Sequence, residues 1–213
     1  MKLVMVINNG IKEAREKKMM TQNDLAKRMG VDVNVIKDWE ENNTMISLKD
    51  VRRLTKYLDA TSYQLLLGCT KPPIDLSGLT EDQIEEIFSL FITNLKKLNR
   101  HHRKINMKTN RSTVRDFGSK VYYIRVRLLG ISQEELSYKL NISRTSVQSY
   151  ERSSEVDSVN RIISLSKLSK VSTDYLIFND CPLQLSSYEL DNERYSILKQ
   201  LVQFYVKYNT IHN

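Results

Sequence analysis

Apolar residues recur every three or four positions in two stretches of the chain, residues 21–40 (TQNDLAKRMGVDVNVIKDWE) and residues 132–151 (SQEELSYKLNISRTSVQSYE). This spacing places apolar side chains on one face of a helix. The pattern therefore predicts two copies of one helical unit. The apolar positions that correspond at a separation of 111 residues are Leu25 and Leu136, Met29 and Leu140, Ile36 and Val147, and Trp39 and Tyr150.

The polar residues of both stretches mark the ends of the predicted helices. Thr21 and Ser132 each precede an acidic residue three positions later, which is the pattern of a capped helix start. Gly30 and Asn141 are residue types that tolerate a left-handed backbone, so each predicts a tight turn. Two positions after each turn, an aspartate in the first stretch and a serine in the second predict the start of another helix.

The correspondence continues beyond these stretches without a gap. A structural repeat preserves buried positions while exposed positions change. The chain is therefore predicted to contain two copies of a unit of about 90 residues. The further pairs of apolar residues are Val51 and Ile162, Leu54 and Leu165, Tyr57 and Leu168, Leu65 and Leu176, Ile87 and Leu198, Leu90 and Leu201, and Leu95 and Val206.

Both stretches resemble the helix-turn-helix of the phage-repressor family, also called the Cro/cI or XRE family. The flanking segments are similar to the first, fourth and fifth helices of that family, and the resemblance covers about 130 of the 213 residues. The second copy departs from the family in having a serine in place of the usual alanine and one extra residue in its first helix. The residues that carry the resemblance are Gln22, Ala26, Gly30, Ile36 and Trp39 in the first copy, and Gln133, Ser137, Asn141, Val147 and Tyr150 in the second.

The resemblance implies an all-α fold with two lambda-repressor-like five-helix domains in tandem, each followed by an additional amphipathic helix. It also implies two structural ion pairs, Arg15 with Glu40 and Arg125 with Glu151. The expected domains are a first helix-turn-helix domain at residues 1–70, an amphipathic extension at 71–99, a basic linker at 100–116, a second helix-turn-helix domain at 117–180, and a C-terminal amphipathic extension at 181–213.

In the geometry of this family, the third helix of each domain enters the major groove of DNA with its first residues against base edges. The resemblance therefore implies double-stranded DNA as the partner. Gln22 and Gln133, at the start of the second helix, are expected to donate to phosphates. The carboxylate of Asp38 makes the first copy the weaker candidate, because it repels phosphates unless it accepts from cytosine. The candidate contacts on the third helices are Ser143, Arg144, Thr145, Ser146, Gln148 and Ser149 in the second copy, and Val33, Asn34 and Lys37 in the first.

A longer segment with an apolar stripe follows each copy. The first of these segments begins with Thr80 and Gln83, which predict a capping box. Each stripe can fold back on its own domain, pair with the other stripe, or pair with another chain to give a homodimer, because an apolar face records burial and not the partner. The stripe residues are Ile84, Ile87, Phe88, Phe91 and Leu95 in the first segment, and Tyr195, Leu198, Leu201, Val202, Tyr205 and Val206 in the second.

The net charge of +8 comes from one segment. Residues 93–115 contain eight basic residues and no acidic residue, whereas the regions before and after have net charges of −1 and +1. Such a run is typical of a solvated linker and also of a segment that binds nucleic-acid phosphates. Extended, residues 100–116 span about 55 Å, more than the roughly 34 Å between successive major grooves, so one chain can reach both parts of an operator. The basic residues are Lys96, Lys97, Arg100, Arg103, Lys104, Lys108, Arg111 and Arg115.

These patterns favour a sequence-specific DNA-binding transcriptional regulator, with repression by occupation of promoter DNA as the expected mode of action. The alternative is a protein-interaction regulator, an antirepressor or adaptor, in which one helix-turn-helix copy or a stripe binds another protein. The sequence has no Gly-rich phosphate loop, no HExxH motif and no CxxC pair, so we expect no enzymatic activity, no cofactor and no metal site. It has no signal peptide or membrane-spanning stretch, so we expect a cytoplasmic protein without membrane contact.

Overall fold

The computed structural model describes residues 10–91, 114–153 and 158–212, and these residues are mostly helical. We call residues 11–67 the first unit and residues 117–177 the second unit. The predicted helical class is confirmed, whereas two short strands were not predicted. The elements are α1 (Ile11–Lys17), α2 (Gln22–Met29), α3 (Val33–Glu40), α4 (Leu48–Leu58), α5 (Ser62–Leu67), β1 (Ile74–Asp75), α6 (Glu81–Phe91), α7 (Phe117–Tyr123), a π-helical segment (Ile124–Leu129), α8 (Gln133–Leu140), α9 (Arg144–Arg152), α10 (Val159–Ser169), α11 (Thr173–Ile177), β2 (Gln184–Leu185) and α12 (Asn192–His212).

The helices α8 to α12 follow the starts of α2 to α6 at a constant distance along the chain. Helices α2 to α6 begin at residues 22, 33, 48, 62 and 81, and helices α8 to α12 begin at residues 133, 144, 159, 173 and 192. Each pair of starts differs by 111 residues. The helix boundaries therefore repeat with the same period as the apolar positions.

The predicted helix caps are present in both units. The hydroxyls of Thr21 and Ser132 accept from the backbone amides three residues later, and the acidic side chains at those positions accept in return from the cap amides. Such hydrogen bonds satisfy amide groups that have no partner inside the helix. The turn residues Gly30 and Asn141 have φ values of 63° and 52°, in the left-handed region. The sequence thus encodes the same helix–turn–helix geometry twice.

The extra residue in the first helix of the second copy is absorbed by a change of helix type. Arg15 precedes Gln22 by seven residues, whereas Arg125 precedes Gln133 by eight. The additional residue falls where α7 continues into the π-helical segment. A π-helical stretch takes up one residue more per hydrogen-bonded turn than an α-helix does. The second unit therefore keeps its later helices in register despite the insertion.

Two clusters of buried apolar residues hold the chain together. One belongs to the first unit and includes Leu25, Ile36 and Leu54. The other contains the core of the second unit together with residues of the first unit, among them Val51 and Tyr63. Since the second cluster spans both units, their association buries apolar surface, which is the main favourable term in folding.

The two units dock through the starts of α5 and α11. The hydroxyls of Ser62 and Thr173, which are 111 residues apart, lie 2.9 Å from each other. The carboxylate of Asp174 accepts from the backbone amides of Ser62 and Tyr63, at 2.8 and 3.3 Å. Burial raises the pKa of Asp174, although these hydrogen bonds act in the opposite direction. The contact between the units is therefore polar at its centre and apolar around it.

The short strands and a lysine add to this interface. Strand β1 pairs antiparallel with β2, and Ile74 lies opposite Leu185, again 111 residues further along the chain. In the second unit, the buried amine of Lys120 donates to the carbonyl oxygens of Tyr175 and Phe178, at 2.7 and 2.9 Å. Burial lowers the pKa of Lys120 to about 8. These contacts fix the ends of α11 and the segment that leads to β2.

The stripes on α6 and α12 pack within the chain, which decides among the alternatives that the sequence left open. In α6, Ile84, Ile87 and Phe88 are buried in the cluster that contains the second unit, while Leu95 and the side chain of Phe91 lie outside the described residues. The predicted capping box of α6 is present, because the Thr80 amide donates to Gln83 and the Gln83 amide donates to the Thr80 hydroxyl. In α12, Leu198 and Val202 are buried, whereas Val206 remains 38% exposed.

Candidate nucleic-acid interface

The start of α9 presents a row of polar side chains to solvent. Ser143, Arg144, Thr145 and Ser149 are exposed, while Ser146 and Gln148 are half-buried. The opposite face of α9 carries the buried Val147 and Tyr150, which lock the helix onto its unit. The structure thus brings the candidate base-reading residues of the second copy together on one accessible surface.

Hydroxyl groups at the start of α9 form a small hydrogen-bonded cluster. The Ser143 hydroxyl accepts from the Ser146 amide at 3.0 Å and lies 2.7 and 2.8 Å from the hydroxyls of Thr145 and Ser146. Hydroxyl groups both donate and accept, so they can turn toward an incoming base or phosphate. Within the described part of the chain, the guanidinium of Arg144 has no hydrogen-bond or ion-pair partner. Its five donors are therefore available to a ligand.

Helix α3 presents a smaller and less basic surface. Asn34 and Lys37 are exposed, and Val33 is half-buried. The Asp32 carboxylate caps the helix by accepting from the Asn34 amide at 2.8 Å. Asp38 is half-buried, and its carboxylate is 3.4 Å from the side-chain amide of Asn43, in the loop after α3. This contact directs the Asp38 carboxylate toward the loop, which reduces the repulsion that the sequence predicted for a phosphate backbone.

A buried ion pair joins the first helix of each unit to its third helix, as the sequence predicted. In the first unit, the Arg15 guanidinium donates to both carboxylate oxygens of Glu40, at 2.6 and 3.0 Å. In the second, Arg125 donates to Glu151 at 2.5 and 3.2 Å. A carboxylate held by two parallel hydrogen bonds is fixed in orientation. The hydrogen bond to Glu40 raises the pKa of Arg15, so this guanidinium remains charged.

The two glutamines that were expected to reach phosphates extend these ion pairs. The side-chain amide of Gln22 donates to Glu40 at 2.9 Å, and that of Gln133 donates to Glu151 at 2.7 Å. In the second unit, the Gln148 amide is in turn 3.4 Å from the Gln133 carbonyl oxygen. The buried arginine thus orients, through three side chains, a residue on the candidate reading surface. Sequence reasoning assigned Gln133 and Gln148 separate roles and did not predict this connection.

The basic linker cannot be assessed in the same way. Seven of its candidate phosphate-contacting residues fall outside the described residues, and Arg115, the last basic residue of this run, is exposed. The seven are Lys96, Lys97, Arg100, Arg103, Lys104, Lys108 and Arg111.

Sequence reasoning also missed the residues that hold the two units together. Ser62 and Thr173 occupy equivalent positions in the repeat and directly follow a capping residue, which is a signal of their shared environment. Asp174 has no such signal, because its counterpart in the first unit is Tyr63. No group of three or more potential metal ligands was found among the described residues, and none of their helices combines the length and apolar character of a membrane span.

Comparison with known families assigns part of the chain. Residues 11–66 match the family model described as helix-turn-helix, a range that runs from the start of α1 into α5. The first unit is therefore a helix-turn-helix domain, the kind of domain found in DNA-binding transcription regulators. Searches of curated proteins and of solved structures returned no match for the chain.

Proposed function

We propose that the chain is a sequence-specific DNA-binding transcription regulator in which the second unit is a second helix-turn-helix domain. On this proposal, α3 and α9 are the recognition helices, and one chain acts as its own dimer on an operator with two unlike half-sites. The observation that carries the proposal is the docking of the two units through positions that are 111 residues apart.

This docking supports an approximate two-fold relation between the units. Ser62 contacts Thr173, and Ile74 pairs with Leu185, so each residue meets its own counterpart in the repeat. A contact between equivalent positions lies on a two-fold axis. Dimers of helix-turn-helix domains use such an axis to place two recognition helices in major grooves about 34 Å apart. The docked interface, rather than the length of the basic linker, would then set the spacing of the half-sites.

The side chains of α9 suit direct reading of bases. An arginine can donate two hydrogen bonds to a guanine, and a glutamine can pair with an adenine through one donor and one acceptor. Arg144 and Gln148 supply these groups, and Gln148 is oriented by Gln133. Each side-chain amide nitrogen carries two hydrogens. Gln133 therefore keeps one donor for a phosphate while the other holds Glu151.

The side chains of α3 suit a different half-site. Asn34 can pair with adenine, Val33 can contact a thymine methyl group, and Lys37 can neutralise a phosphate. Because none of these residues matches its counterpart on α9, the operator is expected to lack a perfect palindrome. Occupation of such a site within a promoter would exclude RNA polymerase, so we propose repression as the mode of action.

Selection of bound oligonucleotides from a random pool, followed by affinity measurements on variants, tests the proposal. Arg144→Ala should weaken binding to the selected sequence by about 5- to 150-fold, the value of one good base contact, and weaken binding to random DNA far less. Arg152→Ala is the matched control, because it removes the same charge from the exposed far end of α9. It should affect both DNAs equally.

The salt dependence of binding distinguishes this proposal from a role in protein interaction alone. A protein that contacts several phosphates loses orders of magnitude in affinity for random duplex between about 50 and 200 mM salt. Equal losses on specific and random DNA for Arg144→Ala would show that Arg144 reads no base. Absence of DNA binding at every salt concentration would refute the proposal as a whole and favour a protein partner.

A further inference from the structure

Helix α12 has a second apolar stripe in addition to the one that packs against the chain. The inner stripe contains Leu198 and Val202, which are 6% and 5% exposed. The outer stripe, which we define as Ile197, Leu201, Phe204, Tyr208 and Ile211, lies on another face. Leu201 is half-buried. The exposed fractions of the others are 57% for Ile197, 62% for Phe204, 50% for Tyr208 and 66% for Ile211.

The outer stripe has the spacing of a coiled-coil seam. Its residues are separated by four, three, four and three positions, the alternation by which apolar residues at heptad positions a and d face a partner helix. The rings of Phe204 and Tyr208 stack with their centroids 6.4 Å apart. Contiguous exposed apolar surface of this kind is uncommon on a monomer and marks a contact surface.

We propose that the outer stripe is a dimer seam, in which α12 of one chain packs antiparallel against α12 of a second copy. In this register, Leu201 faces Phe204 of the other chain and Ile197 faces Tyr208. Each of these contacts occurs twice, as a two-fold symmetric interface requires. The inner stripe stays in place, so neither chain has to unfold in order to pair.

Charges beside the seam favour a second copy and select the antiparallel orientation. Glu193 and Lys207 are exposed and occupy the same heptad position, on the solvent side of the outer stripe. Antiparallel pairing brings Glu193 of each chain beside Lys207 of the other, whereas parallel pairing brings these residues to no partner of opposite charge. Parallel pairing would also place Arg194, at position a, opposite its own copy, where two like charges repel each other. Antiparallel pairing places it against Ile211.

The length of the seam predicts weak association. The outer stripe covers 15 residues, about 21 Å of helix, which is shorter than the three to four heptads that sustain a coiled coil unaided. A small interface of this kind supports a transient dimer, with a dissociation constant on the order of micromolar. The proposal does not depend on DNA binding, since it concerns a surface on the last helix.

Sedimentation equilibrium of the full chain tests the proposal. Between about 1 and about 500 µM, which brackets a micromolar dissociation constant, the wild-type mass should rise from 24.9 kDa toward twice that value. Phe204→Glu should raise the dissociation constant at least tenfold. Gln203→Glu places the same charge on the adjacent exposed residue, away from the seam, and should leave the dissociation constant unchanged. Circular dichroism would verify that both variants keep the wild-type helix content.

Charge reversal tests the orientation of the helices. Glu193→Lys and Lys207→Glu should each weaken dimerisation, because each brings two like charges together across the seam. The double variant should restore the wild-type dissociation constant. A wild-type chain that stays monomeric over the whole concentration range, or a dimer that survives Phe204→Glu, would overturn the proposed seam. Failure of the double variant to recover would overturn its antiparallel orientation.

Discussion

Replacing Asp174 by alanine tests whether the hydrogen bonds at the centre of the docked interface stabilise the folded chain. The Asp174 carboxylate accepts from the amides of Ser62 and Tyr63, at 2.8 and 3.3 Å, and the residue is 7% exposed. In Asp174→Ala, both amides lose their acceptor inside an interface that excludes water. The variant should therefore be less stable than the wild type, with the loss arising where the two units meet.

The size of the loss follows from these two hydrogen bonds. Leaving a buried amide without an acceptor costs about 1 to 3 kcal/mol, so the gross loss is about 4 kcal/mol for the two groups. Burial raises the pKa of Asp174, which means that the folded state also bears the cost of a desolvated carboxylate. The variant is relieved of this cost. A net decrease of about 3 kcal/mol in the free energy of unfolding is expected.

Urea denaturation followed by circular dichroism measures this quantity. With a slope of about 2 to 3 kcal/mol per molar urea, the midpoint of the transition should fall by about 1 M. Asp191→Ala is the matched control, because the Asp191 carboxylate caps α12 at an exposed site, where it accepts from the Arg194 amide at 2.7 Å. Loss of an exposed cap costs about 1 kcal/mol. If Asp174→Ala were no more destabilising than Asp191→Ala, the interface would not depend on this carboxylate.

Three further predictions concern the pH, a helix cap and the linker. Because the pKa of Lys120 is about 8 in the folded chain and 10.5 ordinarily, the unfolded chain binds more protons between these values, and stability should rise with pH there; the stability difference between wild type and Lys120→Met, measured at pH 7.5 and 9.5, should show this rise, and a constant difference would contradict it. Ser132→Ala should lower the free energy of unfolding by about 1 kcal/mol in the same assay, whereas no loss would mean that water replaces the cap. Neutralising the five basic residues between positions 96 and 104 should flatten the salt dependence of DNA binding without changing the selected sequence, and an unchanged slope would make the segment a solvated linker.

Local features of the fold were predictable from the sequence because they depend on residues close together in the chain. The caps at Thr21 and Ser132 and the turns at Gly30 and Asn141 involve backbone groups within a few positions, so residue type alone is informative. The repeat strengthened these predictions, since each feature occurs twice. The ion pairs to Glu40 and Glu151 came from the family resemblance, and the structure confirms them.

The interface between the units could not be predicted in this way. The contact between Asp174 and Ser62 joins residues 112 positions apart, and the counterpart of Asp174 in the first unit is a tyrosine, so the repeat gives no hint of it. Strands of two residues are too short to produce an alternating pattern. The apolar positions of α12 did predict burial, but they fall on two faces, and a sequence does not tell which face meets its own chain.

The unlike surfaces of α3 and α9, carried by one chain, have a consequence for genetic orientation. A homodimer looks the same after half a turn about its axis, so it has no front and no back along a duplex. In the proposed complex, this chain would have both, because its two reading heads are covalently joined and chemically different. Every occupied operator would hold the regulator facing one way, and α12 would always project over the same flank of the regulated gene.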